Sequence, residues 1–183
     1  ECGQGFSFTY HSKSPAARHR TKVQLCCRTG GFGNSTMVPG PVDFERMPSL
    51  LIADDHPLFR AALQLAASAS LPDCRVQEAA DLPAVLAALT AEPDLDLVLL
   101  DLHMPGSQGL SGLATLRGQH PGVAVLVVSA HDEPRIVRRV LDYGAAGFIP
   151  KSASPAEIGA AIRHVLDCGT WLPPGLAEAV AAL

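Results

Sequence analysis

The chain has 183 residues, 48% of them hydrophobic and 17% charged, with a formal net charge of −4, which suits one globular domain with a full core plus an appendage. No apolar run reaches the roughly 18 residues that cross a bilayer, and no basic-then-apolar signal opens the N-terminus, so a cytoplasmic protein without a membrane partner is expected. The five cysteines (Cys2, Cys26, Cys27, Cys74 and Cys168) are odd in number and form no C-x-x-C pair, which indicates neither a disulfide framework nor a zinc site.

Residues 1–46 show no hydrophobic period, are scattered with Gly, Ser and Pro, and carry six Lys/Arg against three Asp/Glu. Met47-Pro48-Ser49 then directly precedes the first good strand, so the native start is expected at Met47, with 1–46 a disordered leader of upstream or appended sequence. A chain beginning at Met47 is accordingly expected to melt at the same temperature. Residues 47–183 carry eight basic against fifteen acidic residues, a poor composition for binding nucleic acid, so no DNA binding by this piece is expected.

From Ser49 the pattern is regular. Leu50–Ala53 is a short apolar strand ending in Asp54-Asp55, and Pro57, favoured in a first helical turn, opens a helical run from Leu58 to Ser70. Arg75–Ala79 alternates as a strand, and Leu82–Thr90 is an alanine-rich helix. Leu97-Val98-Leu99-Leu100 is a continuous aliphatic run that stops on Asp101, followed by a Pro105-Gly106 turn; such a run fits a strand buried on both faces. The spacing predicts a helix from Leu110 to His120, a strand over Ala124–Val128 that ends on Ser129, and a helix over Pro134–Tyr143 stopped by Gly144. Gly147-Phe148-Ile149 is a brief strand before Pro150-Lys151. Ser154-Pro155-Ala156-Glu157 is a capping box opening a helix to Asp167, and Leu176–Leu183 is a helical tail.

Five strands alternating with five helices predict an α/β fold: a parallel sheet of order 2-1-3-4-5, covered by helices on both faces in three layers. In that order Asp54, Asp55, Asp101, Ser129 and Lys151 converge on one edge of the sheet. An Asp at a strand end also serves as a turn former or helix cap, but five such groups at one edge are expected to form a site. Three crowded carboxylates repel one another and call for a proton or a shared cation, and a hard ion such as Mg²⁺ fits oxygen donors. Carboxylate, Mg²⁺, lysine and hydroxyl together make a phosphoryl-transfer site.

The motifs Asp54-Asp55-His56-Pro57-Leu58-Phe59-Arg60, Asp101-Leu102-His103-Met104-Pro105-Gly106, Val127-Val128-Ser129-Ala130, Asp142-Tyr143-Gly144-Ala145-Ala146-Gly147-Phe148 and Lys151-Ser152 resemble the response-regulator receiver domain of the NarL/FixJ type. The resemblance spans residues 49 to about 172 and implies a flavodoxin-like (βα)₅ fold and a regulatory phosphoacceptor rather than an enzyme with its own substrate. It implies that Asp101 accepts a phosphoryl group from a sensor histidine kinase to switch a transcriptional output. It also implies that Asp55, Asp101 and the backbone carbonyl of His103 bind Mg²⁺, that Asp54 acts through water, and that Ser129 and Lys151 hold the phosphoryl oxygens. Phe148 falls at the switch aromatic, expected to turn inward when Ser129 moves. A homodimer formed on phosphorylation is a further partner the resemblance allows. Such proteins usually continue into a helix-turn-helix domain, and nothing after Leu176 forms one, so residues 47–172 are expected as the receiver and 173–183 as the start of a linker in a truncated chain.

Other readings compete. His56 and His103 could belong to a transition-metal site, although their sequence neighbours explain them as turn residues. An aspartyl-phosphate phosphatase would want Asp where His103 stands, and a flavin module would want an uncharged phosphate loop in place of Asp54-Asp55-His56-Pro57. An interaction domain that is never phosphorylated, or a single-domain receiver, would use the same fold. Trp171 is expected to cover the end of the last helix, His120 and His131 to be loop residues, and Arg135, Arg138 and Arg139 to form a solvated face.

Overall fold

The computed structural model describes residues 47–183; the expected leader, residues 1–46, lies outside them. Five strands form one parallel sheet: β1 (Ser49–Ala53), β2 (Arg75–Ala79), β3 (Leu97–Asp101), β6 (Ala124–Ser129) and β7 (Gly147–Pro150). Their order is β2-β1-β3-β6-β7, the doubly wound order the alternation predicts. A two-residue antiparallel ribbon, β4 (His103–Met104) with β5 (Ser107–Gln108), follows β3 in the chain and stands apart from this sheet. Periodicity cannot show an element this short. It is made by the Pro105-Gly106 turn, where Gly106 takes φ 81° and a Cβ would stand 2.9 Å from the Pro83 ring.

Helices α1 (Pro57–Ser70) and α5 (Pro155–Leu166) cover one face, while α2 (Leu82–Ala91), α3 (Ser111–Gln119), α4 (Pro134–Asp142) and α6 (Pro174–Ala181) pack on the other. The strand period of two sorts the core accordingly. Leu50, Ile52, Leu97, Leu99, Leu126, Val128 and Ile149 turn to α1 and α5. Leu51, Ala53, Val98, Leu100, Val125, Val127 and Phe148 turn to the opposite layer. Every residue of β1 and β3 is buried, as a continuous aliphatic run between two helical layers requires, whereas the edge strand β2 is largely open.

Local sequence sets most boundaries. Asp81 caps α2 by accepting from the Ala84 amide at 2.7 Å. At α5, Ser154 Oγ accepts from the Glu157 amide and Glu157 Oε2 accepts from the Ser154 amide at 2.8 Å, the reciprocal pair of a capping box. The Ser154 hydroxyl, which donates to Glu157 Oε2 at 2.7 Å, and then the Ser154 amide hold the Glu157 carboxyl below the usual carboxylate range. Replacing Ser154 by Ala is expected to cost about 1 kcal/mol, read as a drop of a few degrees in the thermal melt.

Most boundaries fall within one residue of the sequence expectation, and the larger differences lie at the C-terminal end. Helix α6 begins at Pro174, two residues before the expected start, because Pro suits a first helical turn. Packing also runs past residue 172: Val180 of α6 is 6% exposed and joins the core cluster of α4 and Phe148. Among the described residues no helix is long and apolar enough to cross a membrane.

Candidate functional site

Strand register brings the polar groups together. Ala53 pairs with Leu100, Asp101 with Val128 and Ser129 with Pro150, so the residues at or just past those ends share the carboxyl edge of the sheet. Asp54 follows β1, Asp101 ends β3, Ser129 ends β6 and Lys151 follows β7. This is where open α/β sheets bind ligands.

Lys151 ties two of the carboxylates: its Nζ stands 2.6 Å from Asp54 Oδ2 and 2.9 Å from Asp101 Oδ2. Both carboxylates are almost wholly buried, and the lysine side chain is 19% exposed. Burial alone would lower the Lys151 pKa, but hydrogen bonds and charge from Asp54 and Asp101 outweigh it and hold the ammonium above its ordinary value. The lysine also lies 4.8 Å from the centre of the Phe59 ring, which shields it from one side. Asp101 Oδ1 accepts from the His103 amide at 3.2 Å, and Asp54 Oδ1 accepts from the His56 amide at 2.8 Å, so the outer oxygens are oriented by their own turns.

Asp55 is the more open carboxylate, and its Oδ1 lies 2.8 Å from His56 Nδ1. Donor atoms of Asp54, Asp55, His56 and Asp101 all fall within 4.8 Å of one another. Three carboxylates, two of them almost wholly buried, against one ammonium leave two negative charges. Oxygen donors and that deficit fit a divalent hard ion, so these residues suit Mg²⁺. His56 is the group that sequence reasoning set aside as a turn residue; its position one residue after the carboxylates was the available signal.

Ser129 is fully buried, and its Oγ accepts from the His131 amide at 3.2 Å, while its carbonyl accepts from the Lys151 amide at 2.8 Å. It therefore fixes the loop after β6 rather than touching Asp101. The rings of His103 and His131 lie 4.8 Å apart at the mouth. Together with Leu58, Phe59 and Ala62 of α1 they line a cleft of about 540 Å³ that opens over Asp101 and Lys151. Phe148, the residue at the switch position, is at 0% exposure and packs in the core cluster with Val137 and Val140 of α4. Arg60 Nη1 donates to the Asp54 carbonyl at 2.7 Å and its Nε pairs with Glu78 at 2.8 Å, which anchors the turn carrying the carboxylates.

The sequence matches the response regulator receiver domain family over residues 50–163. It is 43% identical over 130 residues to the glycerol metabolism activator of Pseudomonas putida, covering 71% of this chain and 59% of that protein. It is 42% identical over 119 residues to the transcriptional regulatory protein NarL of Mycobacterium tuberculosis, covering 65% of this chain and 53% of that protein. The chain thus spans little more than half the length of these curated relatives. Among solved structures, the signal receiver domain of NarL from Mycobacterium tuberculosis superposes with a TM-score of 0.58 at 38% identity, covering 66% of this chain and 96% of that one. A LuxR family DNA-binding response regulator from Silicibacter pomeroyi gives 0.63 at 34% identity, covering 70% and 99%.

Proposed function

Because this chain belongs to the response regulator receiver domain family, we propose that it switches a transcriptional output by taking a phosphoryl group onto Asp101 from a sensor histidine kinase. The observation that carries this reading is the pairing of one cation, Lys151, with two buried carboxylates under an open cleft. In the reaction an Asp101 oxygen attacks the phosphorus of the donor's phosphohistidine. An O–P bond forms as the N–P bond breaks, and the imidazole leaves with the bonding pair.

The chain's residues have distinct parts in this. Lys151, already on Asp101, can turn its ammonium to the arriving phosphoryl oxygens, while Phe59 keeps water from its far side. The Ser129 hydroxyl can exchange its bond with the His131 amide for a phosphoryl oxygen. Asp54, Asp55, Asp101 and the His103 carbonyl would hold Mg²⁺, which supplies neutralisation of the phosphoryl charge when bound. This reading makes the protein a cytoplasmic regulator rather than a turnover enzyme, whose phosphorylated form can pair with a second copy. The transcriptional output would lie in a longer protein, since the NarL relative carries the name of a transcriptional regulatory protein and this acidic piece should not read DNA itself.

The test is mass spectrometry after incubation with acetyl phosphate and Mg²⁺. One phosphoryl group on the peptide containing Asp101, lost when EDTA is present, is the expected result; modification elsewhere, or none, would sink the reading. Ser129→Ala should slow uptake by about 100- to 1,000-fold, the scale of one lost hydrogen-bond donor on a developing charge. A rate unchanged from that of the unaltered chain would remove Ser129 from the site.

A further inference from the structure

Three imidazoles line the cleft over Asp101, and they stand on three different loops. His56 follows β1, His103 opens the ribbon after β3, and His131 follows β6. The acidic site absorbs only the first of them. His56 Nδ1 lies 2.8 Å from Asp55 Oδ1 and 3.3 Å from Asp54 Oδ1, among the carboxylates that suit Mg²⁺. His103 and His131 stand against each other instead, with ring centres 4.8 Å apart and planes tilted by 44°. Both residues are exposed, and among the described residues neither ring makes a hydrogen bond or an ion pair.

The backbone sets this pair in place before any ligand arrives. The His103 amide donates to Asp101 Oδ1 at 3.2 Å, and His103 pairs with Gln108 in the ribbon. The His131 amide donates to Ser129 Oγ, also at 3.2 Å. Each ring therefore stands two residues beyond the end of a strand, and β3 and β6 are hydrogen-bonded neighbours. Sheet register brings the two imidazoles together, so a shared ligand would meet a site already assembled.

We propose that His103 and His131 form a second metal site, for a late first-row transition ion such as Zn²⁺, held by two imidazoles across the mouth of the cleft with water in its remaining positions. Two imidazoles on one tetrahedral zinc, each with a bond of about 2.0–2.1 Å, have ring centres about 5 Å apart, which the 4.8 Å spacing matches. Neutral imidazole suits zinc, nickel and copper, whereas carboxylate and carbonyl oxygens suit Mg²⁺. The two sites thus divide by donor type, and His103 would give the Mg²⁺ site only its main-chain carbonyl. Negative charge nearby favours a cation: Asp101 lines the same cleft, and Asp132 and Glu133 directly follow His131. The site needs only the two rings and stands whether or not Asp101 accepts a phosphoryl group.

A titration of the whole chain with Zn²⁺ in excess Mg²⁺ tests it, read by equilibrium dialysis and by NMR of the histidine ring nitrogens. The ring signals of His103 and His131 should shift together and saturate at the same zinc concentration. The unaltered chain should hold one zinc more than His131→Ala. The double variant His103→Ala with His131→Ala should lose that same single zinc and no second one, because the two rings share one ion. The cysteines and the other histidines are the same in every form, so zinc held by them cancels in the comparison. Both side chains are exposed, and replacing them keeps the main-chain amides and carbonyls, so the variants should fold. An equal zinc count in the unaltered chain and His131→Ala would overturn the site. So would ring shifts confined to His56, which would put the ion among the carboxylates.

Discussion

Asp101→Asn will take up no phosphoryl group from acetyl phosphate and Mg²⁺, and intact-mass measurement of the treated variant will show the unmodified chain alone. The amide keeps the size of the side chain and an oxygen that can accept from the His103 amide, but it has no anionic oxygen to attack phosphorus. The loss should not come from unfolding. The substitution removes one of three mutually repelling carboxylates and leaves Lys151 paired with Asp54 at 2.6 Å. Without divalent ions the variant should therefore melt at or above the temperature of the unaltered chain. The gain in melting temperature on adding Mg²⁺ should shrink, because one oxygen donor is lost. Phosphate uptake by the variant at the original rate would show that Asp101 is not the acceptor.

Lys151→Ala should destabilise the chain more than any other change at the site, and Mg²⁺ should restore part of the loss. Asp54 and Asp101 are almost fully buried and share this one ammonium. Breaking a buried pair leaves an uncompensated charge, at about 3–5 kcal/mol in the general case. With 19% of the lysine side chain still open to water, about 2–3 kcal/mol is the better expectation here. Thermal melts in EDTA measure the cost. Repeating them in Mg²⁺ should narrow the gap to the unaltered chain, since a divalent ion restores positive charge against the same carboxylates. Uptake at Asp101 should persist at a reduced rate. A melt in EDTA equal to that of the unaltered chain would mean that the ion pair contributes nothing to stability.

Local chemistry accounts for how much of this was legible in residue order. Leu97–Leu100 reads as an interior strand because four aliphatic residues in succession have no polar face to offer water, and the same holds for Leu50–Ala53 and Ala124–Val128. Ser154 and Glu157 announce the start of α5 because both halves of a capping box lie within three residues. Once the strand order is known, the meeting of Asp54, Asp101 and Lys151 at one edge follows from the crossover rule, although Lys151 stands fifty residues after Asp101. In this sense the sheet, its order and the members of the acidic cluster were determined by the sequence alone.

Side-chain partnerships were decided only by the tertiary structure. That Lys151 divides itself between two carboxylates, that His56 turns its imidazole to Asp55, and that Ser129 is engaged with the His131 amide all depend on sub-ångström placement of separate strands. The ribbon at His103–Gln108 is too short to have a period. The position of Phe148 inside the core depends on which neighbours leave it room. Residues 173–183 read as the start of a linker because their own pattern is only that of a short apolar helix. Their attachment to α4 comes from surface that α4, Phe148 and the β7 edge present together, and no window of sequence contains all of these. Periodicity reports which face of an element avoids water; which distant element covers that face is set by the packing of the whole chain.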